Sequence, residues 1–326
     1  MSQAKVYVTR KLPASALDRI AAKHRLEVNP HDRVLTRAEL EEAIQGIDGL
    51  LCLLTDTVDE KLLELNPDLK VIANYAVGYN NIDVPACTRR GIPVTNTPGV
   101  LDETTADFAW ALLMAAARRV VEADRFTRAG KFQGWGPMLM LGEDIHGRTL
   151  GIVGLGRIGQ EVARRAGGFD MKVLYHSRTR KTKEEEERLG VEYRSLPELL
   201  QESDFVSLHV PLTEKTRYLI SRQELKLMKE NAYLINTSRG PVVEEEALIE
   251  ALRSREIAGA GLDVYEKEPE VSPGLKELDN VVLAPHIASA SRATRTRMAE
   301  MAVENLLAGL EGREMENLIN PEALKK

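Results

Sequence analysis

A chain of 326 residues is long enough for two domains of ordinary size, each with its own core. Its 43% hydrophobic and 29% charged residues are those of a globular protein and exclude a disordered or fibrous chain. With 44 Lys and Arg against 50 Asp and Glu, the formal charge of -6 gives phosphate backbones and anionic lipid no general attraction, so neither nucleic acid nor a membrane is an expected partner.

The chain enters a strand-like stretch at Lys5 to Thr9 with no leader-like apolar block before it. No run reaches the ~18 apolar residues of a membrane span, so a cytoplasmic location is expected. Further strands are predicted at Gly49 to Leu53, Leu69 to Ala73 and Ile92 to Val94, with helices at Ala14 to Lys23, Arg37 to Ile44 and Asp59 to Leu65. This βα alternation is that of a parallel sheet. The two cysteines, Cys52 and Cys87, support neither a disulfide framework nor a metal site and point to a reducing compartment.

After Thr97-Pro98-Gly99, the run Glu103 to Glu122 lacks Pro and Gly and reads as a helix of about 30 Å, suited to crossing between domains. The aromatic-bearing segment Gly130 to Gly142 has no regular period and reads as a loop. Six strands follow, at Thr149 to Val153, Lys172 to Tyr175, Phe205 to Leu208, Tyr233 to Ile235, Gly259 to Leu262 and Val281 to Leu283. Helices are predicted to begin near Arg157, Glu184, Leu196, Ser221 and Val243, the length of a full dinucleotide-binding unit. Ser289 to Leu310 is a second long helix, with Gly309 and Gly312 as stops. The expected fold is α/β with two Rossmann-like domains: residues 1–99 plus 290–326, and residues 100–289.

Gly154-Leu155-Gly156-Arg157-Ile158-Gly159 places G-x-G-x-x-G between an apolar strand and a helix. There Gly154 permits the tight turn, Gly156 leaves room for a pyrophosphate and Gly159 lets helix and strand approach, while the helix N-terminus offers its unpaired N–H donors. A nicotinamide dinucleotide is therefore expected. The next strand is followed by His176-Ser177-Arg178-Thr179-Arg180-Lys181, without the acid that would accept from the adenosine ribose. Ser177, Arg178 and Thr179 can instead hold a 2′-phosphate, so NADP(H) is preferred and NAD(H) remains possible.

Reduction of a 2-oxo acid requires a cation for the carboxylate and a donor for the carbonyl oxygen, fixed in place beside the nicotinamide. Of six histidines, His24, His31, His146 and His176 lie in settings that predict solvent or nucleotide contact, and His209 is expected near the cofactor. His286, at the carboxyl end of the last strand, is the best general acid. Arg239, beyond the strand Tyr233 to Ile235, presents a planar fork to a carboxylate. The carboxylate partner of His286 is not selected by spacing, since Asp263 and the acids from Glu266 to Glu270 all follow one strand.

Along nearly its whole length the chain resembles the D-isomer-specific 2-hydroxyacid dehydrogenases, most closely their glyoxylate and hydroxypyruvate reductases. The matching pieces are Val77-Gly78-Tyr79-Asn80-Asn81-Ile82-Asp83, Asn96-Thr97-Pro98-Gly99, the glycine loop, His209-Val210-Pro211-Leu212, Asn236-Thr237-Ser238-Arg239-Gly240, Gly261 to Pro269, and Pro285-His286-Ile287-Ala288-Ser289. The resemblance implies a flavodoxin-like substrate domain beside the dinucleotide-binding domain, and a homodimer formed mainly through the latter. It implies that Arg239 orients the 2-oxo acid, that Glu268 pairs with His286 and that His286 donates the proton. It also implies that Leu53 and the backbone of Val77 and Gly78 meet the substrate. Thr105, Leu155, Arg157, Ile158, Val210, Pro211, Thr216, Thr237, Asp263, His286, Ala288 and Ser289 are implied cofactor contacts, Asp263 alternatively being a structural acceptor.

The activity so implied is reduction of glyoxylate to glycolate, with hydroxypyruvate also accepted. One methylene is worth only ~1–3 kcal/mol in an apolar pocket, so other 2-oxo acids stay open. A phosphoglycerate dehydrogenase is the enzymatic alternative, disfavoured by the short stretch after Leu318-Ile319-Asn320. Phosphite or formate dehydrogenation would leave His286 no carbonyl to protonate. A cofactor-sensing binding protein or corepressor could keep the same fold without turnover.

Overall fold

Short aliphatic runs become the strands of two sheets in which every paired strand is parallel, while the amphipathic segments between them become the covering helices. The computed structural model describes residues 3–325, and the chain divides into two compact units, Met1–Leu101 with Ala290–Lys326, and Asp102–Ser289.

In the first unit the strands are β1 (Lys5–Val8), β2 (Arg25–Val28), β3 (Gly49–Cys52), β4 (Val71–Asn74) and β5 (Val94–Thr95), in the order β2-β1-β3-β4-β5. This is the flavodoxin-like order. β3 and β4 are buried along their whole length because helices cover both faces. β2 has no counterpart among the predicted strands. It lies at the sheet edge, and its Arg-Leu-Glu-Val alternation leaves no residue fully buried. The helix Arg292–Leu310 packs on β3 and β4 of this unit. Gly309, expected to stop this helix, lies inside it and serves close packing, since a Cβ there would sit 2.7 Å from Cγ2 of Val71. Gly312, with φ +68°, follows the helix end.

The second unit holds β6 (Thr149–Val153), β7 (Lys172–His176), β8 (Val191–Tyr193), β9 (Phe205–Leu208), β10 (Tyr233–Asn236), β11 (Gly259–Leu262) and β12 (Val281–Leu283). Their order is β12-β11-β10-β9-β6-β7-β8, so the strand order reverses between β6 and β9, where ligands of such sheets bind. The sheet has seven strands and not the six expected, because the three-residue β8 extends its edge.

The run Glu103 to Glu122 is not one helix. It divides into Asp102–Ala117 and Val120–Arg128, with Arg119 left-handed at φ 52° between them. A returning loop ends the first helix: Glu143 N–H donates to the Ala117 carbonyl (2.9 Å), and Gly142 lies so close that a Cβ there would be 2.3 Å from the same oxygen. Asp102–Ala117 lies wholly in the second unit, where Trp110 donates to the Val162 carbonyl (3.1 Å) and stacks on Phe169. Asp102–Ala117 thus belongs to one unit, and the single long helix expected over Glu103 to Glu122 is corrected accordingly. No helix among the described residues is long and apolar enough to cross a membrane.

Candidate active site

β6 ends at Val153 and the chain turns at once. Gly154 has φ +100°, and a Cβ on it would lie 2.6 Å from the His209 carbonyl oxygen. A Cβ on Gly159 would lie 2.2 Å from the Gly154 carbonyl oxygen, so only glycine lets the following helix, Arg157–Ala166, come this near. Gly156 differs, because a Cβ there would meet nothing within 4 Å. That open ground lies at the helix N-cap, which has no side-chain hydrogen bond, and the first turn carries no acid. Such a surface fits a pyrophosphate. Thr237 Oγ1, buried without a partner among the described residues, is a further polar atom available to a bound ligand.

His209, beyond β9, bonds through Nε2 to Ser207 Oγ (2.8 Å), and burial pushes its imidazole down to about 4. It is therefore neutral at pH 7, which suits a residue whose backbone packs on the glycine turn rather than a proton donor.

The loops beyond β10, β11 and β12 assemble the second part. Asn236 ends β10 and folds the next turn around itself: its Oδ1 accepts from Ser238 N–H (3.0 Å) and Ser238 Oγ (2.8 Å), and its Nδ2 donates to the Arg239 carbonyl (3.0 Å). Arg239 then donates through Nη1 to the Ser238 carbonyl (2.7 Å). Burial lowers its guanidinium pKa while Glu268 opposes the shift; Arg nevertheless stays charged. Gly240 allows the Tyr265 main chain to lie against this turn, since a Cβ would sit 1.8 Å from the Tyr265 oxygen.

Glu268 accepts from His286 Nδ1 (2.7 Å) and from Tyr265 N–H (3.1 Å). Burial pushes its carboxyl pKa up, but the His286 bond and charge, Tyr265 N–H and Arg239 more than offset this, and the net shift is downward. Glu268 is thus a carboxylate at neutral pH. His286 has φ 55°, a left-handed conformation uncommon for a non-glycine residue. It is fixed by Asp263, whose carbonyl accepts from His286 N–H (2.9 Å) and whose carboxylate accepts from Ile287 N–H and Ala288 N–H (2.8 Å each). Nε2 of His286 has no partner among the described residues and is the ring atom left to act.

Set beside known proteins, residues 110–288 match the family model for the D-isomer specific 2-hydroxyacid dehydrogenase NAD binding domain. A glyoxylate reductase of Korarchaeum cryptofilum is 55% identical, the match covering 98% of this chain and 97% of that one. Another, from Thermococcus litoralis, is 53% identical, covering 98% of each. The chain belongs to the D-isomer specific 2-hydroxyacid dehydrogenase family. Among solved structures, an NADPH-dependent glyoxylate/hydroxypyruvate reductase of Sinorhizobium meliloti, in complex with NADP and malonate, superposes with a TM-score of 0.86 at 34% identity, covering 99% of this chain and 98% of that one.

Within this dehydrogenase, four sequence-selected residues, Arg239, Asp263, Glu268 and His286, fall in one set of loops. The acids that spacing left open now separate. Asp263 is taken up by backbone N–H groups and Glu266 is engaged by Tyr218 OH and Glu245 N–H, whereas Glu268 bonds the imidazole directly. Leu155, Arg157 and Ile158 lie in the glycine loop and the first helical turn, Val210 and Pro211 follow β9, and Ala288 and Ser289 follow His286. Thr105 is buried in Asp102–Ala117. Thr216 Oγ1 bonds the Pro211 carbonyl (2.6 Å) and Thr213 N–H (2.8 Å), so the hydroxyl shapes its own loop. His176, expected to face solvent or nucleotide, places Nδ1 3.1 Å from the Arg194 carbonyl oxygen.

Beyond β7, Ser177 Oγ donates to the Thr179 carbonyl (2.7 Å). Arg180 is paired with Glu186 and Lys181 with Glu185, whereas the Arg178 guanidinium forms no ion pair among the described residues. Leu53, Val77 and Gly78 lie in the first unit, just beyond β3 and β4. The ties that hold these loops, from Asn74, Asn81 and Asn96, were not assigned roles from sequence. Asn74, buried at the end of β4, donates within its own loop to the Gly78 carbonyl, whereas the half-buried Asn81 and Asn96 reach carbonyls on other loops, at Leu53 and Asp56 and at Val77, which no local pattern signals.

Proposed function

We propose that this dehydrogenase reduces glyoxylate to glycolate, accepts hydroxypyruvate as well, and takes its reducing equivalent from NADPH in preference to NADH. The observation that carries the proposal is the Glu268–His286 pair, oriented with Nε2 free, on loops adjoining the one that bears Arg239. The reduced nicotinamide, when bound, supplies the hydride that reaches the carbonyl carbon. Arg239 holds the carboxylate end of the substrate by charge-assisted hydrogen bonds. His286 delivers a proton from Nε2 to the carbonyl oxygen as negative charge develops there, and Glu268 stabilises the imidazolium and fixes the ring through Nδ1. Leu53 and the Val77 and Gly78 backbone complete the substrate contacts. The glycine loop and Arg157–Ala166 hold the pyrophosphate, with Thr105, Val210, Pro211, Thr216, Thr237, Asp263, Ala288 and Ser289 as further cofactor neighbours.

Steady-state kcat/KM for glyoxylate, hydroxypyruvate, pyruvate and 3-phosphohydroxypyruvate, each with both cofactors, tests the assignment. Glyoxylate with NADPH should give the highest value; the phosphorylated substrate leading would overturn it. The cofactor preference rests on the loop after β7, which has no acid and has Arg178 unengaged. Arg178→Gln should weaken NADPH about tenfold or more and leave NADH within about twofold, since the lost contact is to a phosphate that NADH lacks. Equal weakening of both cofactors in a titration would remove Arg178 from that role.

We also propose a homodimer formed through the second unit, working in the cytoplasm. The support is a cluster in sequence of exposed apolar side chains on one segment, Phe132, Trp135, Met138, Leu139 and Leu141, with Trp135 85% exposed. Sedimentation equilibrium should return twice the chain mass, and Trp135→Glu should lower it toward one chain; a wild type that sediments as a single chain contradicts the dimer.

A further inference from the structure

Val77 N–H and Gly78 N–H are adjacent backbone donors, and among the described residues neither has an acceptor. Their carbonyl partners across the peptide planes are both held. The Ala76 carbonyl accepts from Thr97 N–H (2.9 Å), and the Val77 carbonyl accepts from Asn96 Nδ2 (2.8 Å). A trans peptide is planar, with C=O and N–H pointing in opposite directions. Fixing the Ala76 carbonyl therefore aims Val77 N–H, and fixing the Val77 carbonyl aims Gly78 N–H, both away from the segment that holds the oxygens.

Asn96 is itself held. Its N–H donates to the Asn317 carbonyl (3.3 Å), and Asn317 is doubly bonded to Asn305, through Asn305 Nδ2 to Asn317 Oδ1 (3.0 Å) and Asn317 N–H to Asn305 Oδ1 (3.3 Å). Asn305 is buried on the helix Arg292–Leu310. From the other side Asn74 Nδ2 donates to the Gly78 carbonyl (2.9 Å). The donor pair is thus set by one backbone bond, from Thr97, and by the side chains of Asn96 and Asn74 before any ligand arrives.

We propose that Asn96 is a positioning residue for the 2-oxo acid, locking the Val77–Gly78 peptide so that Gly78 N–H faces the substrate carboxylate beside the Val77 N–H that the Thr97 bond aims. This rests on the reading that Val77 and Gly78 contact the substrate. Without the Asn96 bond that peptide can rotate, and substrate binding must then supply the ordering.

The test uses the full-length protein loaded with NADPH and oxamate, an unreduced 2-oxo acid analogue, as the probe. Asn96→Ala and the nearly isosteric Asn96→Asp, which cannot donate, should each raise the oxamate Kd and the glyoxylate KM by about tenfold, the size of one charge-assisted contact. The change in kcat should be smaller, and the NADPH Kd should stay within about twofold. Unchanged oxamate affinity in both variants, or equal loss for oxamate and NADPH, overturns the positioning role. If the wild type binds oxamate in an Asn96-dependent way but does not reduce glyoxylate, the substrate assignment falls and the positioning role stands. A wild type that does not bind oxamate overturns both.

Discussion

Replacing His286 with alanine is expected to slow glyoxylate reduction by about a thousandfold, within the range that a positioned general acid contributes. NADPH should still bind within a few-fold of the wild-type affinity, because the glycine loop and the helix behind it do not depend on the imidazole. The large effect follows from how fully the ring is committed. Nδ1 is bound to Glu268, the residue is held left-handed, and Asp263 secures the backbone N–H groups of residues 286–288, so one ring nitrogen is presented. Steady-state kinetics with a parallel NADPH titration measures both quantities. Turnover within a few-fold of wild type would remove His286 from proton transfer.

Arg239→Lys should cost about a hundredfold or more in kcat/KM although the charge is kept. A lysine ammonium is a point charge on a flexible stem, whereas the guanidinium is a planar fork already anchored by Nη1 on the Ser238 carbonyl, in a turn that Asn236 closes. Loss of the second parallel hydrogen bond removes orientation as well as energy. Arg239→Ala should be worse than Arg239→Lys, since it also removes the charge opposite Glu268. If lysine restored full kcat/KM, the residue would be acting through charge alone.

The central strands were legible in the sequence because burial on both faces demands unbroken aliphatic runs such as Gly49–Cys52 and Phe205–Leu208. The edge strands β2 and β8 were not. With one neighbour each and partly exposed faces, Arg25–Val28 and Val191–Tyr193 need no such run. The break at Arg119 was also invisible, because no Gly or Pro marks it. It is imposed by a loop arriving from Gly142 and Glu143, a tertiary cap outside any local window.

At the site, the glycine loop could be read residue by residue, since each glycine answers a different local requirement. His286 and Arg239 followed from their positions at the carboxyl ends of strands. Glu268 could not be separated by spacing from its acidic neighbours. Only folding reveals that Asp263 and Glu266 are occupied by backbone amides and a tyrosine hydroxyl.

The most direct test is a crystal structure of the protein with NADPH and oxamate bound together. The account predicts His286 Nε2 within about 3 Å of the carbonyl oxygen of oxamate, Nδ1 still on Glu268, and the Arg239 fork on the carboxylate. An imidazole turned from that oxygen, with a different donor in its place, would contradict it.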